Sequence, residues 1–341
     1  MEQLEDPMIT LLRDYAELNP PHIDIFDNEL PSALEFMRYV SLNRPFVVRS
    51  GAYDWEATRS WDVGMLKTIL KDQYINVAVT PFGNADSPVR SSDNDDELLF
   101  VKPCMMQQDF TEFVDFIVEQ EKRKDIIDDA CELKEVRYSQ AQNDNLRDEY
   151  ISLFPHVAKD IPWARIALQK TPDAINLWLG NSLSVTALHK DNYENIYVQI
   201  IGQKHFVLLP PVAYACVSEQ ILTPASYLKT PDDKWKIQKE ENAPKIPFPT
   251  WDEDKEVDKH SLHNKYSDLI VPIRVTLAKG DMLYLPALWY HKVSQSCSEE
   301  GICCAVNYWY DMQFNGSLYS LCNYVQNTMN LNESVQDTKD F

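Results

Sequence analysis

The sequence predicts a mainly β protein with α elements: a jelly-roll barrel preceded by an α/β extension and followed by a C-terminal helix. Three observations predict it. From residue 174 onward, short β-rich runs follow one another at 174–179, 184–188, 196–201, 205–209, 269–277, 282–285, 291–295 and 303–309. Turn residues such as Gly202 and Gly280-Asp281 punctuate them, and many short strands so punctuated close into sandwiches or barrels. Before residue 174 the apolar residues recur mostly at helical spacing, with isolated strand-like runs between them.

In the extension, Leu4, Met8, Leu11, Leu12, Tyr15 and Leu18 share a helical face, and Asn19-Pro20-Pro21 ends that helix. A second helix starts near Pro31 and carries Leu34, Met37 and Val40 on one side. Residues 45–49 read as a short strand, Asp62 as the cap of a helix over 65–70, and 75–80 as a further strand. The acidic run 84–97 reads as a solvated loop. Asp109 followed by Glu112 predicts a capping box opening a helix over 110–121. The charged run 120–134 reads as a surface excursion, 136–142 as strand, and 155–168 as broken helical turns around Pro162-Trp163. The chain thus divides into an extension packed on the core (1–135), the barrel (136–312) and a helix with a tail (313–341). Within the barrel, 212–268 is rich in Pro and charge and is expected to be an insertion, a kind of loop that usually serves function. In the tail, Leu318, Leu321, Val325 and Met329 form a helical stripe, which suits internal packing and a homodimer contact equally.

Of 341 residues, 44% are hydrophobic and 25% charged, which is the composition of an ordinary globular protein. A net charge of −21 argues against nucleic acid and anionic membranes, and suits a basic protein or peptide partner. The first residues lack a basic region followed by an apolar run, so no secretory leader is expected, and no apolar stretch approaches a membrane span. The seven cysteines include no Cys-x-x-Cys pair, so reduced thiols in the cytosol or nucleus are expected rather than a disulfide framework.

Chemistry concentrates at Thr186-Ala-Leu-His189-Lys190-Asp191. Residues two apart on a strand project from one face, so His189 and Asp191 can grip one metal ion. His291, just after the turn Pro286-Ala-Leu-Trp289-Tyr290, can complete a triad if its strand lies beside theirs. Two His and one carboxylate with open positions is the ligand set of non-haem Fe(II) oxygenases. Such iron commonly works with 2-oxoglutarate, whose distal carboxylate needs a cation. Lys204 lies within a strand-like run, where a buried charge is costly unless paired. Tyr138 and Thr186 add hydroxyl donors. His205 alternates with Lys204 and is read as structural. His22, His156, His260 and His263 lie in apparent loops and read as exposed.

Asn176-Leu-Trp178-Leu-Gly180, 186–195, Gly202-Gln-Lys204-His-Phe, 280–291 and Val306-Asn307-Tyr-Trp309-Tyr together resemble the cupin-like Jumonji-C oxygenases, and among them the small lysyl hydroxylases. Val77-Ala-Val-Thr-Pro81, Tyr138-Ser-Gln, 157–163 and 222–227 extend the resemblance over nearly the whole chain. It implies a double-stranded β-helix core, Fe(II) on His189, Asp191 and His291, and 2-oxoglutarate held by Lys204 with Tyr138 and Thr186. Asn195, Asn307 and Trp309 would line the co-substrate pocket. The substrate so implied is a protein lysine, in GTP-binding proteins of the developmentally regulated type. Glu194 and Asp311, acidic residues near the site in sequence, are read as candidates to meet that lysine. A histone lysine demethylase is the alternative enzyme, and a cupin-like scaffold that has lost its metal the non-enzymatic one. Asn192 and Lys292 stand where relatives tend to carry His, which leaves the ligands intact but bears on substrate contacts.

Overall fold

A computed structural model describes residues 6–91, 94, 97–124, 135–252, 254 and 264–337. Helix α1 (Pro7–Leu18) starts at Asp6, whose carboxylate accepts from the Met8 amide at 2.9 Å. Strand β1 (Asp24–Asp27) leads to α2 (Ala33–Leu42), then β2 (Phe46–Arg49), α3 (Glu56–Ser60) and α4 (Val63–Ile69). The capping box belongs to α2: Ser32 Oγ accepts from the Glu35 amide, and Glu35 accepts from the Ser32 amide. At the position expected for it, Asp109 accepts from Thr111 and Glu112, so it caps its helix alone.

Strands β3 (Tyr74–Thr80), β4 (Ser87–Arg90), β5 (Leu98–Lys102) and β6 (Cys104–Asp109) precede α5 (Phe110–Arg123). The run 84–97 is therefore not all loop, because Ser87–Arg90 pairs antiparallel with β5. Most of the predicted excursion 120–134 lies outside the described residues. After β7 (Val136–Tyr138) and α6 (Pro162–Leu168) the chain enters a dense series of strands. These are β8 (Ala174–Gly180), β9 (Thr186–Lys190), β10 (Tyr193–Ile201), β11 (Gln203–Leu209), β12 (Glu219–Lys229), β13 (Trp235–Lys239), β14 (Ile246–Pro249), β15 (Ile273–Leu277), β16 (Met282–Leu285), β17 (Tyr290–Ser296) and β18 (Cys303–Asp311). Helix α7 (Ser317–Asp337) follows.

Two sheets face each other across the centre. One has six strands in the order β1-β2-β16-β10-β18-β8, the other four in the order β15-β11-β17-β9. This is the expected double-stranded β-helix. Strands β10 and β18 are buried nearly throughout because both faces of the larger sheet are covered. Ile196, Val198, Val306 and Tyr308 pack outward against Phe36, Trp163 and other residues of the helical extension. Tyr197, Ala305 and Trp309 point the other way, toward Phe206 and Val293 of the smaller sheet. The extension also enters the larger sheet directly, since β2 pairs antiparallel with β16.

The predicted insertion is more ordered than its Pro and charge content suggested. Strand β12 pairs with β13, β14 and, in parallel, β5, which joins the insertion to the extension as a separate five-stranded sheet. On α7, Leu318, Val325 and Met329 pack inward, whereas Leu321 is exposed. No helix among the described residues is long and apolar enough to cross a membrane, and the six described cysteines are free thiols.

Candidate metal centre and its pocket

Strands β9 and β17 are antiparallel neighbours whose register sets His189 directly opposite His291. Asp191 lies one residue beyond the end of β9, so the expected pairing on one strand face is corrected to a strand residue and a residue of the following bend. Its backbone is nevertheless fixed, because its carbonyl accepts from the Leu288 amide at 2.8 Å. Leu288 takes a positive φ of 69°, uncommon for a bulky residue, within the turn that launches β17. The Asp191 carboxylate comes within 3.8 Å of His189 Nε2 and 3.7 Å of His291 Nε2. All three ligand atoms lie within 4.8 Å of one another.

Both imidazoles are oriented the same way. Nδ1 of His189 is 2.8 Å from the Ala187 carbonyl, and Nδ1 of His291 is 3.0 Å from the Trp289 carbonyl. Each Nδ1 therefore carries the proton and donates it, which turns an Nε2 lone pair toward the shared point. Burial lowers the pKa of His291 to about 4, with His189 adding to the effect and Asp191 opposing it, so this ring is neutral near pH 7, as a metal ligand must be.

A cavity runs from the triad between the sheets, and the nine residues singled out in the sequence all line it. They are His189, Asp191, His291, Lys204, Thr186, Tyr138, Asn195, Asn307 and Trp309. Lys204 is only 2% exposed, and its ammonium donates to the Tyr138 hydroxyl at 2.9 Å. Burial works against this charge, and the Tyr138 hydroxyl is the hydrogen-bond partner that supports it. Among the described residues no carboxylate pairs with it. Trp309 supplies a second unmet group, since its buried indole Nε1 has no partner among the described residues. A buried cation and an orphaned donor in one cavity fit a ligand that carries a carboxylate.

Asn195 and Asn307 are locked to each other and to the sheet. Asn307 Nδ2 donates to Asn195 Oδ1 at 3.1 Å, while Asn307 Oδ1 accepts from Trp178 Nε1 at 2.9 Å. Trp178, Tyr197, Phe206, Val293 and Gln142 also line the cavity and were missed. Four of them had a signal, because each stands two residues from one already chosen or on the facing strand. In β18 the register sets Asn307 opposite Tyr197 and Trp309 opposite Asn195.

Other expectations resolve differently. Glu194 is buried on the far face of β10, where it accepts from Tyr284 at 2.6 Å and from the Ala287 amide at 3.2 Å. It holds the sheet rather than meeting a substrate. Asp311 is exposed at the end of β18, outside the lining of the cavity. His156 is half-buried, not exposed, and its Nδ1 accepts from Trp61 at 3.1 Å. His22 is exposed, and His205 bonds Thr276 and Ser296 on the outside of the small sheet. His260 and His263 lie outside the described residues. Lys292 faces away from the metal side and reaches Asp252 at 2.5 Å and Asp254 at 2.6 Å in the insertion.

A family profile described as a cupin-like domain matches residues 31–316. The chain is 34% identical over 333 residues to the lysine-specific demethylase JMJ32 of Arabidopsis thaliana, covering 95% of this chain and 92% of that one. It is 35% identical over 286 residues to the bifunctional peptidase and (3S)-lysyl hydroxylase JMJD7 of Homo sapiens, covering 84% and 83%. A third relative, JmjC domain-containing protein E of Dictyostelium discoideum, is 30% identical over 329 residues, covering 92% and 91%.

Proposed function

The chain belongs to the cupin-like Jumonji-C family of oxygenases, and from that premise we propose that it is an Fe(II)- and 2-oxoglutarate-dependent hydroxylase of a lysyl side chain in a protein. The observation that carries the reading is one cavity holding both the His189–Asp191–His291 triad and a buried Lys204 with no carboxylate partner among the described residues. When bound, the iron and 2-oxoglutarate supply the oxidation: one atom of dioxygen enters a substrate C–H bond and the other enters succinate as carbon dioxide leaves.

The residues of the chain bind and orient. His189, Asp191 and His291 would hold the metal, each imidazole being fixed in tautomer and direction by a backbone carbonyl. Lys204 and Tyr138 receive the distal carboxylate of the co-substrate, and the Thr186 hydroxyl and Trp309 Nε1–H donate along its length. Asn195 and Asn307, already tied together, shape the wall beside it. Tyr197, Phe206 and Val293 keep that end of the cavity apolar and poor in water.

The human relative named a (3S)-lysyl hydroxylase supports hydroxylation, and the resemblance to lysyl hydroxylases supports GTP-binding proteins of the developmentally regulated type as substrates. The plant relative, named a lysine-specific demethylase, favours a second reading in which the same iron chemistry removes an N-methyl group. Mass spectrometry separates them. Lysyl peptides from such GTP-binding proteins, incubated with the protein, Fe(II) and 2-oxoglutarate, are expected to gain one oxygen. Methyllysine peptides losing a methyl group would transfer the reading to demethylation, and unmodified lysines across the set would remove the hydroxylase. His189→Ala is expected to abolish substrate-dependent succinate formation; undiminished turnover would remove the triad assignment.

A further inference from the structure

A second hollow of about 600 Å³ opens beside the metal cavity and shares Thr186, His189 and Gln142 with it. Its walls are largely apolar, with Phe100, Pro103, Met105 and Phe248 among them, and the rings of Phe100 and Phe248 meet at 4.9 Å. Two charged groups stand in these walls besides the histidine. Lys102 is already paired, its ammonium 2.8 Å from Glu240 outside the hollow. Asp86 is not paired: among the described residues its one hydrogen-bond donor is Gln140, whose amide reaches Oδ2 at 3.0 Å. Burial raises the pKa of Asp86, while Gln140, His189 and Lys102 act to lower it. A partly buried carboxylate in an apolar hollow is thus left short of a cation.

What fits is a long aliphatic chain ending in a positive charge. Phe100, Met105 and Phe248 suit the stem, and Asp86 suits the head. Gln140 occupies one carboxylate oxygen, so a guanidinium, which pairs best with both, is poorly served, whereas an ammonium needs one. We propose that Asp86 binds the ε-ammonium of the substrate lysine and thereby holds the side chain's methylenes against the metal side of His189. This rests on the lysyl hydroxylase reading and adds the residue that selects the lysine. The net charge of −21 draws basic partners from a distance, and Asp86 supplies the local recognition.

The test uses the full chain loaded with Mn(II), which does not turn over, and 2-oxoglutarate. The probes are acetyl-Ala-Ala-Lys-Ala-Ala-amide and its norleucine and arginine analogues, and paramagnetic broadening of their side-chain protons gives affinities. The wild type should prefer lysine to norleucine by about tenfold or more, and to arginine. In Asp86→Asn the lysine preference should collapse to about one while norleucine binding is unchanged, and Asp86→Glu should restore part of it. Because the readout is a ratio, loss of folded protein does not move it. A preference retained in Asp86→Asn, absent from the wild type, or turned toward arginine overturns the proposal. Hydroxylation of lysyl peptides by the wild type, read separately, shows whether the broader reading stands when this one falls.

Discussion

Lys204 is a cation sunk between two sheets with a neutral phenol as its hydrogen-bond partner, an arrangement that disfavours the free protein and favours one filled by a carboxylate. Lys204→Met is therefore expected to leave the melting temperature of the free protein unchanged or raised. It should also abolish the rise that 2-oxoglutarate gives the wild type in calorimetry; a variant that still gains that stability would remove Lys204 from the co-substrate site. Lys204 was legible in the sequence because a charge amid strand-forming residues needs a reason. Tyr197 and Phe206 were passed over although each stands two residues from a chosen one, because an aromatic residue in a strand looks like core until the inward face of that strand is used to read it. The carbonyls of Ala187 and Trp289 were invisible for another reason: any residue can supply a carbonyl, so nothing in the sequence marks them.

At the scale of elements, β7 matters through what it holds in place. A Cβ at Gly180 in β8 would stand 2.5 Å from the Tyr138 ring, so only glycine lets that ring lie flat over the strand. Gly180→Ala should displace Tyr138 and raise the KM for 2-oxoglutarate about tenfold or more with a smaller change in kcat, measured by succinate release. One residue before β7, buried Glu135 pairs with Arg137 and, at 2.6 Å, with Lys229 of β12. Burial alone would raise its pKa, but Lys229 and Arg137 outweigh it and hold the carboxyl below its unfolded value of 4.5. A carboxylate so shifted stabilises the fold above the unfolded value, and that contribution is lost as pH falls through the folded one. Glu135→Gln should thus melt below the wild type at pH 7, and the gap should shrink as the pH falls below 4.5 in thermal scans. Helices α1, α2, α4, α5 and α7 were legible from apolar spacing and cap residues, whereas the five-residue α3 is too short to show a period. The strands of the insertion were not legible, since β13 and β14 are short, neither carries a sustained buried face, and β14 contains two prolines, features that also describe loops.

For the molecule as a whole, the three candidate ligands come from strands β9 and β17 and from the bend between β9 and β10, so a bound ion ties the small sheet to the entry of β10. Ligand binding to the folded state alone adds about 4 kcal/mol at a thousandfold excess over Kd. Mn(II) is accordingly expected to raise the melting temperature by several degrees, a chelator to reverse this, and His291→Ala to show neither change. The strand runs of the barrel were readable because they are short, rich in β-forming residues and separated by turn residues. The joining of β5 to β12 across more than a hundred residues was not, because no local pattern reports which distant edges meet. Within β17, His291 looks toward the metal and Lys292, its neighbour, grips two aspartates of the insertion on the other side. Inner and outer positions of such a strand are separate alphabets written on one thread. A substitution at outer position 292 can refit the surface that greets a partner while every inner letter of the chemistry stays as it was.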